Sequence, residues 1–112
     1  MTFEPFDTVV VPFPFADRAQ SVVRPVVLLS PHAGFGDQTG VAVAAMITSA
    51  QQSGWPLDVP IADLTAAGLR VPCLVRMKLN TIEYGLLGKK IGSLAEADRA
   101  KVRAALAALL PG

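Results

Sequence analysis

The sequence predicts a mainly β chain closed by a C-terminal α-helix, built as a small, strongly bent antiparallel sheet or barrel. Three observations carry this. The apolar runs are short, rich in Val and Ile, and broken by turn formers, as an all-β fold requires. The last stretch, SLAEADRAKVRAALAALL, changes to Ala and Leu with helical periodicity before Pro111-Gly112. The length, 112 residues, points to one domain spanning 1–112.

In chain order, DTVVVPFPF supplies a first strand from about Thr8 to Phe13, followed by the polar loop ADRAQSVV. RPVVLLS, from Arg24 to Ser30, is the second strand, and PHAGFGDQTG is a loop marked by three glycines and a proline. VAVAAMITS gives the third strand, ending near Ser49. QQSGWP is a turn and LDVP a short fourth strand. IADLTAAGL reads as one helical turn or as loop. CLVRMKLNTI is a strand with partial alternation, and LLGKKIG is a last short strand whose glycines point to bulges or close packing. In the tail, Ser93 and Glu96 form a capping-box pattern. Leu94, Val102, Leu106 and Leu109 make the apolar face that would pack the helix on the sheet.

Composition excludes several classes. Ten Lys and Arg stand against nine Asp and Glu, so no general basic field exists for nonspecific nucleic-acid binding, and any such role must rest on a local cluster. One cysteine, Cys73, cannot form an internal disulfide, which fits a reducing cytoplasm. The start MTFEPFD lacks the basic-then-apolar pattern of a signal peptide. No apolar run approaches the roughly 20 residues of a membrane span, so no membrane role is expected. The apolar share is 52% and the charged share 17%; a small chain of this kind is expected to cover apolar surface in a dimer or with a partner.

A metal site is not expected, since His32 is the only histidine and Cys73 the only cysteine, whereas a structural zinc site takes four such ligands. His32 reads as a surface loop residue and Cys73 as a small core residue. No cofactor motif is present. What remains is an arginine-led polar set. Arg24 opens strand two against Pro25; Thr48 and Ser49 end strand three; Gln51 follows. The loop before Arg24 carries Asp17, Arg18 and Gln20. If strands two and three pair antiparallel, Arg24 and Thr48 share one end of the sheet, where a guanidinium and a hydroxyl can grip a phosphate. An Arg at a strand start also serves as a solvated edge residue, and Thr-Ser at a strand end is ordinary turn chemistry. The residues alone leave both readings open.

Taken in order, these segments resemble the MazF/PemK family of toxin ribonucleases. DTVVVPFPFAD is similar to the family's first strand and loop, RPVVLLS to its Arg-Pro strand, and AAMITSAQ to its Thr-bearing strand. WPLDVPI, GLRVPCLVRMKLNTIE and KKIGSLAEADRAKVRAAL follow with the family's spacing. The resemblance covers nearly the whole chain. It implies a small SH3-like barrel of the CcdB/MazF/PemK type, a homodimer, a cognate antitoxin, contact with DNA only indirectly through that antitoxin, and metal-free, cofactor-free cleavage of single-stranded RNA. On the matching positions, Arg24 and Thr48 would be catalytic. The loop glutamine falls on Gln20, the first-loop aromatic near Phe15, and the RNA-facing polar residue before the Thr-Ile pair on Lys78. Ser49 and Gln51 join them as expected RNA contacts. Departures are Ser21 and Val22 where the family often has glycine, Met77 where it often has an acid, and Phe6 in place of a glycine.

RNA carries its own nucleophile, the 2′-hydroxyl. An enzyme must help remove that proton, stabilise charge on phosphorus and protonate the leaving 5′-oxygen. A guanidinium holds its proton far above neutrality, so charge stabilisation is the task Arg24 suits first. Expected products are a 2′,3′-cyclic phosphate and a 5′-hydroxyl. The rival readings are a toxin of the same fold that binds DNA gyrase without cutting, with the C-terminal helix carrying function, and a nuclease-dead regulatory binder.

Overall fold

The computed structural model describes residues 3–13, 22–51 and 54–112. Six strands form one sheet: β1 (Asp7–Phe13), β2 (Val22–Leu28), β3 (Val41–Ser49), β4 (Val59–Pro60), β5 (Cys73–Glu83) and β6 (Lys90–Ser93). Their order is β4-β5-β3-β2-β1-β6, and every neighbouring pair runs antiparallel. The sheet curls into a half-barrel with the C-terminal helix packed against it. Among the described residues, the α-helical elements are the single turn α1 (Asp37–Thr39) and α2 (Glu96–Leu109), and a short 3-10 turn spans Tyr84–Leu86.

The VVLL run of β2 lacks alternation because both faces of the curled sheet are covered. Val27 enters one core cluster with Ala45, Ile47, Val75, Leu94 and Val102. Val26 and Leu28 point the other way, into a second cluster with Phe3, Val9, Val11, Ala44 and Ile82. A strand caught between two cores must be apolar at consecutive positions.

Three expectations about elements need correction. The second strand begins at Val22 rather than Arg24, because β1 continues its ladder that far, pairing Phe13 with Val22 and Val11 with Arg24. Arg24 therefore stands within a hairpin strand and not at its mouth. The capping box does not form: Ser93 belongs to β6, and its hydroxyl donates to the Phe6 carbonyl at 3.4 Å and accepts from Arg99 Nη2 at 2.7 Å. The helix starts after Ala95 with no side-chain cap. Its apolar face also ends earlier than expected. Asp98, Val102 and Ala105 are buried, whereas Leu109 is exposed at the end of the last turn. Buried Asp98 accepts the N–H groups of Ala62 and Asp63, each at 3.0 Å, and so ties the helix to the segment after β4. The loop after β2 holds α1 and a kinked turn at His32–Gly36, and His32 lies half-buried with its ring 5.3 Å from that of Tyr84.

Phe6 takes φ +71°, the left-handed region that favours glycine. It is held there on both sides: its N–H donates to Leu28 O at 2.6 Å, and its carbonyl accepts from Leu94 N at 3.0 Å. Its ring lies under Arg99 and Arg103, at 5.5 and 5.1 Å. Gly68, at φ +74°, has no such option, since a Cβ there would overlap the Ile91 carbonyl of β6.

Candidate active site

The β2–β3 ladder pairs Val26 with Met46, Val27 with Ala45 and Leu28 with Ala44, and stops there. The next residue of β2 is Pro25, which has no N–H to offer a ladder. Beyond it the two strands open, and a cleft of about 160 Å³ occupies the gap. Its walls are Phe13, Arg24, Met46, Ile47, Thr48, Arg76 and Lys78. Continuing the observed register by two residues sets Arg24 across from Thr48, so the proline that opens the strands also leaves these two side chains facing a shared space.

Arg24 is exposed, and its guanidinium carbon lies 5.8 Å from the centroid of the Phe13 ring. Phe13 and Val22 are register partners at the far end of the β1–β2 hairpin, so the aromatic that steadies Arg24 comes from the neighbouring strand. Thr48 pairs with Leu74 of β5 and is half-buried.

The opposite wall comes from β5. There the ladder to β3 slips: Ala45 faces Leu79 but Met46 faces Arg76, leaving Met77 and Lys78 as extra residues. A bulge of this kind bends a strand and re-aims its side chains. Met77 turns into the core and is buried, which explains an apolar residue there instead of an acid. Lys78 is exposed and lines the cleft on the same face as Arg76.

Arg76 differs in kind from its neighbours. Its Nε and Nη2 donate to Asp58 Oδ1 and Oδ2 at 3.2 and 3.0 Å, a two-pronged contact with both side chains largely covered. The hydrogen bond to Asp58, aided by the carboxylate charge and opposed by burial, raises the Arg76 pKa above its usual range. Of the basic residues near the cleft, Arg76 therefore spends its fork on Asp58, while Arg24 and Lys78 are exposed; Arg18 lies outside the described residues.

Asp58 also closes a turn. Its Oδ2 accepts the Trp55 N–H at 3.0 Å, and its own N–H donates to the Trp55 carbonyl at 3.2 Å. Pro56 followed by Leu57 at φ +67° gives the turn type II character. A non-glycine residue in that region costs about 1–2 kcal/mol, which the paired bonds of Asp58 offset.

Of the expected site residues, the cleft brings together Arg24, Thr48 and Lys78. Ser49 is not among its walls. It follows Thr48 on a strand whose side chains alternate, and its hydroxyl accepts the N–H of Gln51 at 3.3 Å. Ser49 and exposed Gln51 thus shape the turn after β3 instead of the cleft. Phe15 and Gln20 lie outside the described residues. Sequence reasoning missed Phe13 as the ring beside Arg24 and Asp58 as the partner of Arg76; the WPLD turn signal was the only available pointer to the latter. Among the described residues no three of His, Cys, Asp and Glu gather as a metal-binding group.

With this geometry in view, the chain can be set beside known proteins. The model of the PemK-like, MazF-like toxins of type II toxin-antitoxin systems matches residues 4–110. The chain belongs to this family. A crystal structure of MazF from Deinococcus radiodurans superposes with a TM-score of 0.75 at 25% identity, covering 100% of this chain and 99% of that one. An endoribonuclease from a mycobacterial species, solved with its cognate antitoxin, gives 0.74 at 19% identity over 98% of each chain. The Mycobacterium tuberculosis toxin MazF-mt6 gives 0.70 at 21% identity, over 91% of this chain and 93% of that one. No curated protein sequence matches significantly. The MazF-type fold expected from the sequence is the fold observed.

Proposed function

We propose that this toxin-family chain is a metal-independent, sequence-specific endoribonuclease that cuts single-stranded RNA, the whole chain acting as one domain. The observation that supports it best is the cleft where β2 and β3 part, with Arg24, Thr48 and Lys78 on its walls. A phosphate in that space meets a guanidinium from β2 and a hydroxyl from β3. Arg24 holds the non-bridging oxygens and meets the charge that grows on them as the substrate's 2′-oxygen attacks phosphorus. Thr48 donates to a phosphate oxygen or orients the 2′-hydroxyl. Lys78 supplies a second cation along the strand path. The phosphorus–5′-oxygen bond breaks, that oxygen takes a proton, and a 2′,3′-cyclic phosphate remains. Incubating the purified protein with mixed RNA in EDTA and mapping the ends tests this. Cyclic phosphate and 5′-hydroxyl ends are expected; intact RNA rejects the reading.

The same proposal places the protein in the cytoplasm as a homodimer under a cognate antitoxin, with DNA contact only through that antitoxin. Among the described residues no helix is long and apolar enough to cross a membrane. Support for a dimer is the exposed apolar end of α2, Leu109 and Leu110, beside a groove of about 370 Å³ walled by Leu29, Pro31, Phe35, Leu79, Leu106 and Leu110. Light scattering should give twice the chain mass, and a monomer at micromolar concentration rejects the dimer. An acidic antitoxin segment covering the cleft should compete with RNA; joint binding rejects that arrangement.

A further inference from the structure

We propose that Trp55 is a base-stacking platform beside the cleft, held in place by Asp58 and Arg76, and that it seats a nucleotide flanking the scissile phosphate. The inference rests on the ribonuclease reading above and adds a determinant of which RNA is bound.

Four observations converge on Trp55. Trp55 is 44% exposed, so this large apolar residue is left substantially open to solvent. The covering group is the Arg76 guanidinium, 5.5 Å from the ring centroid. Arg76 is itself fixed by its two-pronged contact with Asp58, so the ring rests on a rigid support rather than a mobile cation. The backbone beneath the ring is fixed as well, by the turn that Asp58 closes from both sides and by Leu57 held at φ +67°.

Arg76 links this platform to the chemistry, because the same side chain lines the cleft that Arg24, Thr48 and Lys78 share. A strand of RNA whose phosphate sits in that cleft passes directly over the Arg76 side of it, and a base splayed from the strand meets the indole. Proteins read unpaired RNA by stacking its bases on aromatic rings and guanidinium planes, which Trp55 and Arg76 present together. A ring ordered before binding loses little freedom when a base arrives. A structural account of the pair leaves the exposed indole unexplained: Asp58 satisfies Arg76, and the turn is closed by backbone and carboxylate without the ring.

The chain has one tryptophan, so its emission reports this ring alone. The full-length protein is titrated with mixed-sequence RNA in which every 2′-hydroxyl is methylated, which removes the nucleophile and prevents cleavage. Anisotropy of a dye-labelled copy of the same RNA reports binding anywhere on the surface. We expect tryptophan quenching that saturates with the anisotropy midpoint. Trp55→Ala should weaken binding roughly 5- to 150-fold, and Trp55→Phe should restore most of it. Saturating anisotropy with unchanged tryptophan emission overturns the platform while leaving the ribonuclease reading standing, as does Trp55→Ala binding at the wild-type midpoint. Quenching by an acidic peptide but not by RNA overturns it in favour of a protein contact. Absence of binding together with absence of cleavage of unmodified RNA removes both readings. If Trp55→Ala fails to fold, the wild-type titration still decides.

Discussion

On the proposed ribonuclease reading, replacing Arg24 separates catalysis from stability more cleanly than any other change in the cleft. The side chain is exposed on β2, and among the described residues it lies against the Phe13 ring at 5.8 Å. An exposed cation–π contact is worth about 0.5–1 kcal/mol. For a chain of this size that corresponds to a shift in Tm of about 2–4 °C. The backbone of Arg24 stays in the β1–β2 ladder whatever side chain it carries. The catalytic loss is of another order. Removing a fixed donor from a developing oxyanion costs about 2.7–4 kcal/mol, or 10²–10³ in kcat. Arg24→Ala should therefore cut RNA at least 100-fold more slowly and melt within a few degrees of wild type. Arg24→Lys keeps the charge but loses the planar fork, and should recover only part of the rate. Single-turnover cleavage of labelled RNA, paired with thermal melts followed by circular dichroism, measures both. An Arg24→Ala protein within tenfold of wild type refutes the assignment. An Arg24→Lys protein equal to wild type refutes the two-pronged grip and leaves a plain point charge.

Thr48→Val keeps the branched shape and removes the hydroxyl; losing one hydrogen bond to a charged group, about 1.5–3 kcal/mol, should slow single-turnover cleavage roughly 10- to 150-fold, and an unchanged rate means the hydroxyl is unused. Asp98→Ala removes the buried carboxylate that accepts the N–H groups of Ala62 and Asp63, so losing two hydrogen bonds to a charged group should lower stability to urea by about 3 kcal/mol, with a change under 1 kcal/mol contradicting the anchoring role. Burial raises the Cys73 pKa. The unfolded chain therefore releases the thiol proton first, and stability should be full below the ordinary thiol range, about 8.5, then fall as pH rises through it. Urea midpoints from neutral to alkaline pH check this, and Cys73→Ala should flatten that part of the profile.

Strand positions were legible because the chemistry of their ends is local. The bounds of the third strand, Val41–Ser49, coincide with expectation since Gly40 and the turn at Ala50 stop it on both sides. The start of the second strand was not legible. Arg24-Pro25 looks like a strand opening, but the ladder that carries Val22 and Val23 is made by β1, whose partner is known only from the fold. The helix start failed for a similar reason. Ser93 and Glu96 have capping-box spacing, yet β6 claims Ser93 for pairing with Asp7 and Arg99 claims its hydroxyl.

The cleft divides along the same line. That Arg24 and Thr48 lie at one end of the sheet follows from antiparallel pairing of two recognisable strands. What no run of residues announces is why a gap exists between them. It takes a proline in β2 that ends one ladder and a bulge in β5 that shifts the other, and each is meaningful only beside its partner strand. Phe6 makes the same point from the opposite end of the chain. A glycine there would relax a backbone at φ +71°, so the phenylalanine looks like a defect when read alone. In the folded chain its ring lies against Arg99 and Arg103 of α2. At about 0.5–1 kcal/mol each, those contacts offset a conformational cost of about 1–2 kcal/mol. The strained residue thereby becomes a contact point between the turn that leads into the first strand and the last helix.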